Sequence, residues 1–229
     1  MQRIRQGIYL LESAEHSNSY LIEGPHGLTL FDAGGPRASP YVAEEIEGNG
    51  FALKDIEQIV ISHAHFDHAG GVRGLLERHR VKVFAHPADI PGITGKDRRP
   101  PRSLFLRAWR SFLGLLYPYR PLQVVMPIDQ GETLRALPRW QVLRLPGHTP
   151  GSIGLFHPVG KLLLCGDALN NRDGRLSLPS ASHCDDPVQA RDSAHRLAML
   201  DLEVLGCGHG PVLRAGAGLK VQELLSSLG

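Results

Sequence analysis

Residues 59–71 read IVISHAHFDHAGG, and the fold and the chemistry both turn on this stretch. Ile59, Val60 and Ile61 are β-branched and follow the polar segment Lys54–Gln58, so they read as a buried strand. Where that strand ends, His63, His65, Asp67 and His68 fall within six positions. Ala69-Gly70-Gly71 lets the backbone turn sharply, and Val72, Leu75 and Leu76 then show helical spacing toward Arg80. Extended residues alternate sides, so His63 and His65 point the same way, while Asp67 and His68 follow a turn and reach a second point nearby. Such an arrangement suits two metal ions close together.

Three further donors stand at strand ends beside glycine: His148 in RLPGHTPGS, Asp167 in LLLCGDAL and His209 in LGCGHGP. Each follows an apolar run, so all three can reach one rim of the same sheets. Taken alone, any one of them reads as a turn cap or a solvated side chain. Taken together, His63, His65 and His148 can form one three-nitrogen site, and Asp67, His68 and His209 another, with Asp167 bridging through its two oxygens. Five imidazoles and two carboxylates suit zinc, with iron or manganese as competitors because nitrogen and oxygen donors select weakly among them. The set leaves coordination places open, as catalytic sites do. A hydroxide shared by two cations would be a nucleophile at neutral pH, since metal binding lowers the pKa of water from 15.7 to about 7. Asp67 is the candidate to orient that hydroxide or manage its proton. Asp32, in LTLFDAGG, ends an earlier strand and could accept a hydrogen bond from a ligand histidine, fixing its tautomer, or could cap a turn.

The remaining sequence sets bounds. A chain of 229 residues with 42% hydrophobic and 21% charged residues reads as one globular domain, 1–229, of the larger kind. A net charge of +2 does not by itself imply nucleic acid. The beginning of the chain does not resemble a secretory signal, and no window approaches the ~18 apolar residues of a membrane span. Three cysteines, Cys165, Cys184 and Cys207, are an odd number without framework spacing, which points to free thiols and a cytoplasmic address.

Short apolar runs predict strands at Ile8–Leu11, Tyr20–Ile22, Leu28–Phe31, Ile59–Ile61 and Val81–Phe84, then at Gln141–Leu145, Ile153–Phe156, Lys161–Cys165 and Val204–Cys207. Helices are predicted over Pro40–Glu47, Pro187–Leu200 and Leu219–Leu228. Two β-rich halves, each followed by helix, imply two sheets packed face to face with helices outside. The basic, aromatic stretch Asp97–Pro121 stands apart. Its middle, Leu104–Leu116, reads as an amphipathic helix that connects the halves, covers a pocket as a lid, or makes a homodimer contact.

FDAGG, HAHFDHAGG, PGHTPGS, GDA and GHG, in this order, resemble the five motifs of the metallo-β-lactamase-fold hydrolase superfamily. The resemblance runs from Asp32 to His209. It implies an α+β fold, a four-layer αββα sandwich with two metals at one edge of the sheets, and the ligand set already read from the residues. It also implies a hydrolase acting on a small-molecule substrate. Within the superfamily, antibiotic hydrolysis is disfavoured, because true β-lactamases of the group typically carry cysteine or serine where this chain has Asp167. Only 20 residues follow His209, too few for the glutathione-binding helical region of glyoxalase II. Spelling and size are most similar to lactonase-type and other small hydrolases.

The activity expected is cleavage of an ester, thioester or lactone by a hydroxide held between two metals. Two alternatives stay open: a mononuclear iron-dependent dioxygenase acting on a thiol or persulfide, and a phosphodiesterase or nuclease gripping its substrate through Arg98–Arg110. Among the other candidates, Cys165 and Cys207 read as small buried side chains, and His86 as a pocket residue or a satisfied one. His183, Cys184 and the loop Asn170–Ser182 could line the substrate mouth or merely connect. His16, His26, His79, His157 and His195 read as solvated.

Overall fold

The computed structural model describes residues 1–97 and 119–228. The predicted helix at Leu104–Leu116, and with it most of the Asp97–Pro121 segment, lies outside the described residues.

Seven strands form the first sheet: β1 (Gln2–Arg5), β2 (Ile8–Leu11), β3 (Ser19–Gly24), β4 (Gly27–Phe31), β5 (Ile56–Val60), β6 (Lys82–Ala85) and β7 (Met126–Pro127), in that spatial order. β1 to β4 are antiparallel neighbours, whereas β4 to β7 run parallel. Parallel neighbours need crossovers. Those crossovers hold α1 (Ser39–Gly48), α2 (Phe66–Ala69), α3 (Val72–Arg78) and α4 (Ile90–Ile93). The second sheet holds β8 (Gln141–Arg144), β9 (Ile153–His157), β10 (Leu162–Leu164) and β13 (Val204–Gly206), in the order β13-β10-β9-β8. Outside it pack α5 (Pro187–Ala198) and α6 (Ala217–Ser226), and a hairpin of β11 (Asn170–Arg172) and β12 (Arg175–Ser177) stands apart.

Side-chain alternation assigns the layers. In the first sheet Leu21, Leu30 and Ile59 face one way, against Val42 and Ile46 of α1 and Val72 and Leu75 of α3. Their neighbours Tyr20, Ile22, Phe31 and Val60 face the other way, onto Val142, Ile153, Leu155, Leu162, Leu164 and Val204 of the second sheet. From the far side of that sheet Phe156, Leu163 and Leu205 meet Ala194 and Leu197 of α5 and Val221 of α6. Three apolar interfaces separate four layers, helix, sheet, sheet and helix, and the αββα sandwich follows from period-two burial on strands apolar on both faces.

Each predicted strand is present, shifted at its ends by a few residues. Differences lie where the apolar signal is thin. β1 buries only Ile4, and β7 is two exposed residues held by pairing with Phe84 and Ala85. The segment read as a loop after Asp167 contains the β11–β12 hairpin. Its two-residue turn, Asp173-Gly174, takes positive φ at both positions (52° and 82°), the geometry an Asp-Gly hairpin turn adopts.

Candidate metal centre

β4 and β5 run parallel, and β8, β10 and β13 share one direction in the second sheet. The C-terminal ends of these strands form one edge of the sandwich. Asp32 follows β4, His63 follows β5, His148 lies beyond β8, Asp167 beyond β10 and His209 beyond β13. Bonds between the sheets fix this edge: Ile153 N–H donates to Ser62 O (2.9 Å), Asn18 N–H to Gly208 O (2.7 Å), and Tyr20 O–H to Cys207 O (2.6 Å). α2 begins at Phe66, directly after His65, whose carbonyl accepts from His68 N (3.1 Å) and Ala69 N (3.0 Å). One turn of helix thus carries Asp67 and His68 around to a second point.

All seven candidate ligands meet at this edge. His63 Nε2 lies 3.1 Å from His65 Nδ1, which lies 2.9 Å from His148 Nε2. Tetrahedral coordination at about 2.1 Å separates ligand nitrogens by roughly 3.4 Å, so three imidazoles stand close to the spacing a cation between them requires. Asp67, His68 and His209 form a second group. In it, His209 Nε2 is 3.5 Å and His68 Nε2 is 3.9 Å from Asp67 Oδ2. Asp167 stands between the groups: Oδ1 is 3.4 Å from His68 Nε2, and Oδ2 is 3.4 Å from His148 Nε2 and 3.2 Å from His209 Nε2. His68 Nε2 is buried without a hydrogen-bond partner among the described residues and faces these carboxylates. A buried ring nitrogen that faces two acids without bonding to either fits a metal better than it fits a folded protein without one.

Asp32 acts from behind. Its Oδ1 accepts from Ser62 N (2.7 Å), and its Oδ2 accepts from Ser62 Oγ (2.7 Å) and His68 Nδ1 (2.8 Å). Ser62 Oγ lies 2.9 Å from His63 Nδ1. With protons on both Nδ1 atoms, His63 donates to Ser62, Ser62 and His68 donate to Asp32, and both Nε2 lone pairs turn toward the site.

The electrostatics divide the same way. Burial, reinforced by charge on His68 and His148, holds His63 well below the usual imidazole range. Burial and then His65 push His148 down to about 3. Around His68 burial also disfavours charge, but Asp167 and Asp32 outweigh it and raise its pKa well above the ordinary value. His209 is raised against burial by Asp167. Burial alone would raise Asp167; His68 and His209 reverse that and hold it well below the carboxylate range. One group therefore offers neutral nitrogens, and the other gathers acids that welcome positive charge.

Sequence reading missed Asp89. It is fully buried, and its carboxylate accepts from Ala64 N (2.7 Å), Thr149 Oγ1 (2.7 Å) and Gly151 N (2.8 Å). A strand-end Asp after His86-Pro87 is the only trace it leaves in the sequence. His86 itself is buried, with Nδ1 accepting from Ala88 N (3.2 Å), while Nε2 stands 3.4 Å from Asp129 Oδ1 and makes no hydrogen bond among the described residues, so only one of its two nitrogens is satisfied. Cys165 and Cys207 are buried in the core below Asp167 and His209. Cys184 is buried and His183 exposed, and the next residue, Asp185, donates its N–H to His148 O (3.0 Å). His157, read as solvated, is half-buried and packs on Trp140 with ring centroids 5.1 Å apart; His79 is half-buried as well, while His16, His26 and His195 are exposed.

A four-layer αββα sandwich carrying a His/Asp cluster at the strand ends defines a class of metal-site proteins. The chain belongs to the metallo-beta-lactamase superfamily, whose sequence pattern matches residues 13–209. It is 33% identical over 220 residues to the probable metallo-hydrolase YflN of Bacillus subtilis, covering 85% of this chain and 80% of that protein. Among solved structures it is similar to the metallo-beta-lactamase family protein TTHA1429 of Thermus thermophilus (TM-score 0.74, 26% identity, 99% of this chain and 80% of that one). It is also similar to TTHA1623 in a di-iron-bound form (TM-score 0.64, 36% identity, 86% and 88%).

Proposed function

We propose that the chain is a metallo-hydrolase with a dinuclear centre that cleaves an ester, thioester or lactone bond in a small molecule. The observation that carries this reading is the shared position of Asp167 between two complete donor groups. A mononuclear centre, as an iron dioxygenase would need, leaves several of the seven donors without a task, whether it uses His63, His65 and His148 or His63, His68 and Asp167. Relatives named probable metallo-hydrolases support the hydrolytic class, and the di-iron form of TTHA1623 makes iron a competitor of zinc at these donors.

In this reading His63, His65 and His148 would hold one ion and Asp67, His68 and His209 the other, with Asp167 within reach of both groups. Bound there, two cations would lower the pKa of a shared water to about 7 and polarise a carbonyl. The protein's own part is positional. The side chains of His68, His148 and Asp167 are at most 8% exposed, whereas Asp67 is 18% and His209 37% exposed. Substrate therefore arrives from the Asp67–His209 side, where Asp67 Oδ2 can orient the attacking water and hold its proton. His63 and His148, kept neutral by burial, cannot compete for that proton.

The test is metal analysis paired with kinetics on activated esters, thioesters and lactones. Two metal ions per chain, and turnover that is lost on chelation and in His63→Ala and His148→Ala, are expected. Persistent hydrolysis by either variant, or one iron per chain with oxygen uptake on a thiol or persulfide, would overturn the proposal.

A further inference from the structure

The two halves of the centre are supported by two different buried carboxylates. Asp32 reaches imidazole nitrogens. Asp89 touches no candidate ligand side chain in the bonds described above and grips only the backbone and the hydroxyl beside them. Ala64, whose N–H it accepts, lies between His63 and His65; Thr149, whose hydroxyl it accepts, directly follows His148. The same carboxylate closes on Gly151 N–H. Segments 25, 60 and 62 residues away in sequence from Asp89 thus converge on one acid.

We propose that Asp89 is the positioning residue of the three-imidazole half: it sets the distance between the His63–His65 and His148 loops and so tunes metal affinity at that half alone. The inference rests on the metal-centre reading above. The nitrogens it governs stand 3.1 and 2.9 Å apart, and they belong to loops from different sheets. The bond from Ile153 N–H to Ser62 O (2.9 Å) joins the same two segments farther from the nitrogens. Thr149 Oγ1 donates to Asp89 Oδ2, Ser152 Oγ stands 2.8 Å behind it, and Thr149 N–H donates to Ser152 Oγ (3.1 Å). These bonds close a ring that holds the residue after His148 against Asp89. Gly151 completes the clamp by lacking a side chain, because a Cβ there would lie 2.6 Å from Asp89 Oδ1.

An amide cannot serve in place of the acid. Asn at position 89 keeps one acceptor oxygen for three donors, and its NH2 would face at least one N–H or O–H. Ligand-orienting partners of this kind are worth about 10–100-fold in metal affinity.

The experiment titrates zinc alone against a chromophoric chelator, in two backgrounds that each leave one half intact. In His209→Ala, which keeps the three imidazoles, Asp89→Asn should weaken zinc by about 10–100-fold. In His148→Ala, which keeps Asp67, His68 and His209, the same change should move affinity by less than about threefold. Thr149→Val removes a single donor and should shift the first background by about tenfold, with Thr149→Ser restoring it; this pair carries the test if Asp89→Asn does not fold. Equal losses in both backgrounds would mark Asp89 as a general structural residue, and no loss in the first would remove it from the site; either result overturns the inference. A protein with Asp89 intact that takes up no zinc would overturn the metal-centre reading itself.

Discussion

Replacing Asp32 separates the energy of the Asp32 network from the chemistry it imposes on His68. The carboxylate is 1% exposed and accepts three donors at 2.7, 2.7 and 2.8 Å. In Asp32→Ala, Ser62 N–H is left buried without an acceptor, and His68 Nδ1–H keeps only the long 3.5 Å approach of Ser62 Oγ, a poor substitute for a 2.8 Å bond to a carboxylate. Ser62 O–H can turn toward His63, at the cost of that ring's tautomer. One stranded donor and one nearly so, at about 1–3 kcal/mol each, give roughly 2–6 kcal/mol. Asp32 also sits at φ 60°, a left-handed conformation that Asp and Asn tolerate and Ala resists by about 1 kcal/mol more. Asp32→Ala should therefore lose roughly 3–7 kcal/mol in urea denaturation of the metal-free protein. Asp32→Asn keeps the shape and the φ preference, and should lose far less stability. Its amide oxygen can take Ser62 N–H, which turns the NH2 toward His68 Nδ1. His68 must then accept there and carry its proton on Nε2, where a metal needs the lone pair. Zinc affinity should drop about 10–100-fold, and nitrogen-15 NMR of the histidines should report the proton on Nε2. If Asp32→Asn keeps the zinc affinity of the unaltered protein within about threefold and His68 keeps its Nδ1 proton, packing alone orients the ring and the argument fails.

Gly208→Ala tests how closely the backbone approaches the site. The new Cβ would lie 2.0 Å from Asp167 Oδ1 and 2.6 Å from His68 Cε1, so one ligand must move. A loss of about 1–3 kcal/mol in thermal or urea unfolding, with a larger relative loss of zinc binding, is expected; native-like zinc affinity would refute the packing described. For His148, a folded pKa of about 3 against an ordinary value of about 6.5 means that the unfolded chain binds the extra proton. This group's contribution to stability is therefore intact above about pH 6.5 and is lost as pH falls toward 3. Histidine NMR of the metal-free protein should show His148 unshifted between pH 8 and 5; a midpoint near 6.5 would contradict its burial among the other rings.

The cluster of candidate ligands was legible in the sequence for a chemical reason. A single strand-end histidine or aspartate says little, but His63, His65, Asp67 and His68 crowd into six positions, and His148, Asp167 and His209 recur beside glycine where apolar strands stop. β10 and the second half of β5 were legible because both faces are buried there and the apolar run is continuous; the start of β5 was not, because Glu57 is exposed and Gln58 is polar. β7 was not legible: Met126 and Pro127 are exposed, and their strand character comes from pairing with β6. The β11–β12 hairpin did carry a local signal, in Asp173-Gly174, but its strands have almost no buried face to announce them.

Asp89 shows where reading from sequence stops. One of 12 aspartates, it precedes a short helix and has the position of an N-cap, where aspartate needs no other explanation. In the fold its side chain makes no bond to α4. It turns away and accepts from Ala64, Thr149 and Gly151. A metal ligand is restricted in residue type by its own chemistry, so it shows in one dimension. An acceptor for backbone N–H groups is restricted only by what surrounds it, and those surroundings are assembled by the two sheets when they close on each other. The proposed clamp and the candidate ligands thus differ in visibility because only the latter carry their constraint in the side chain itself.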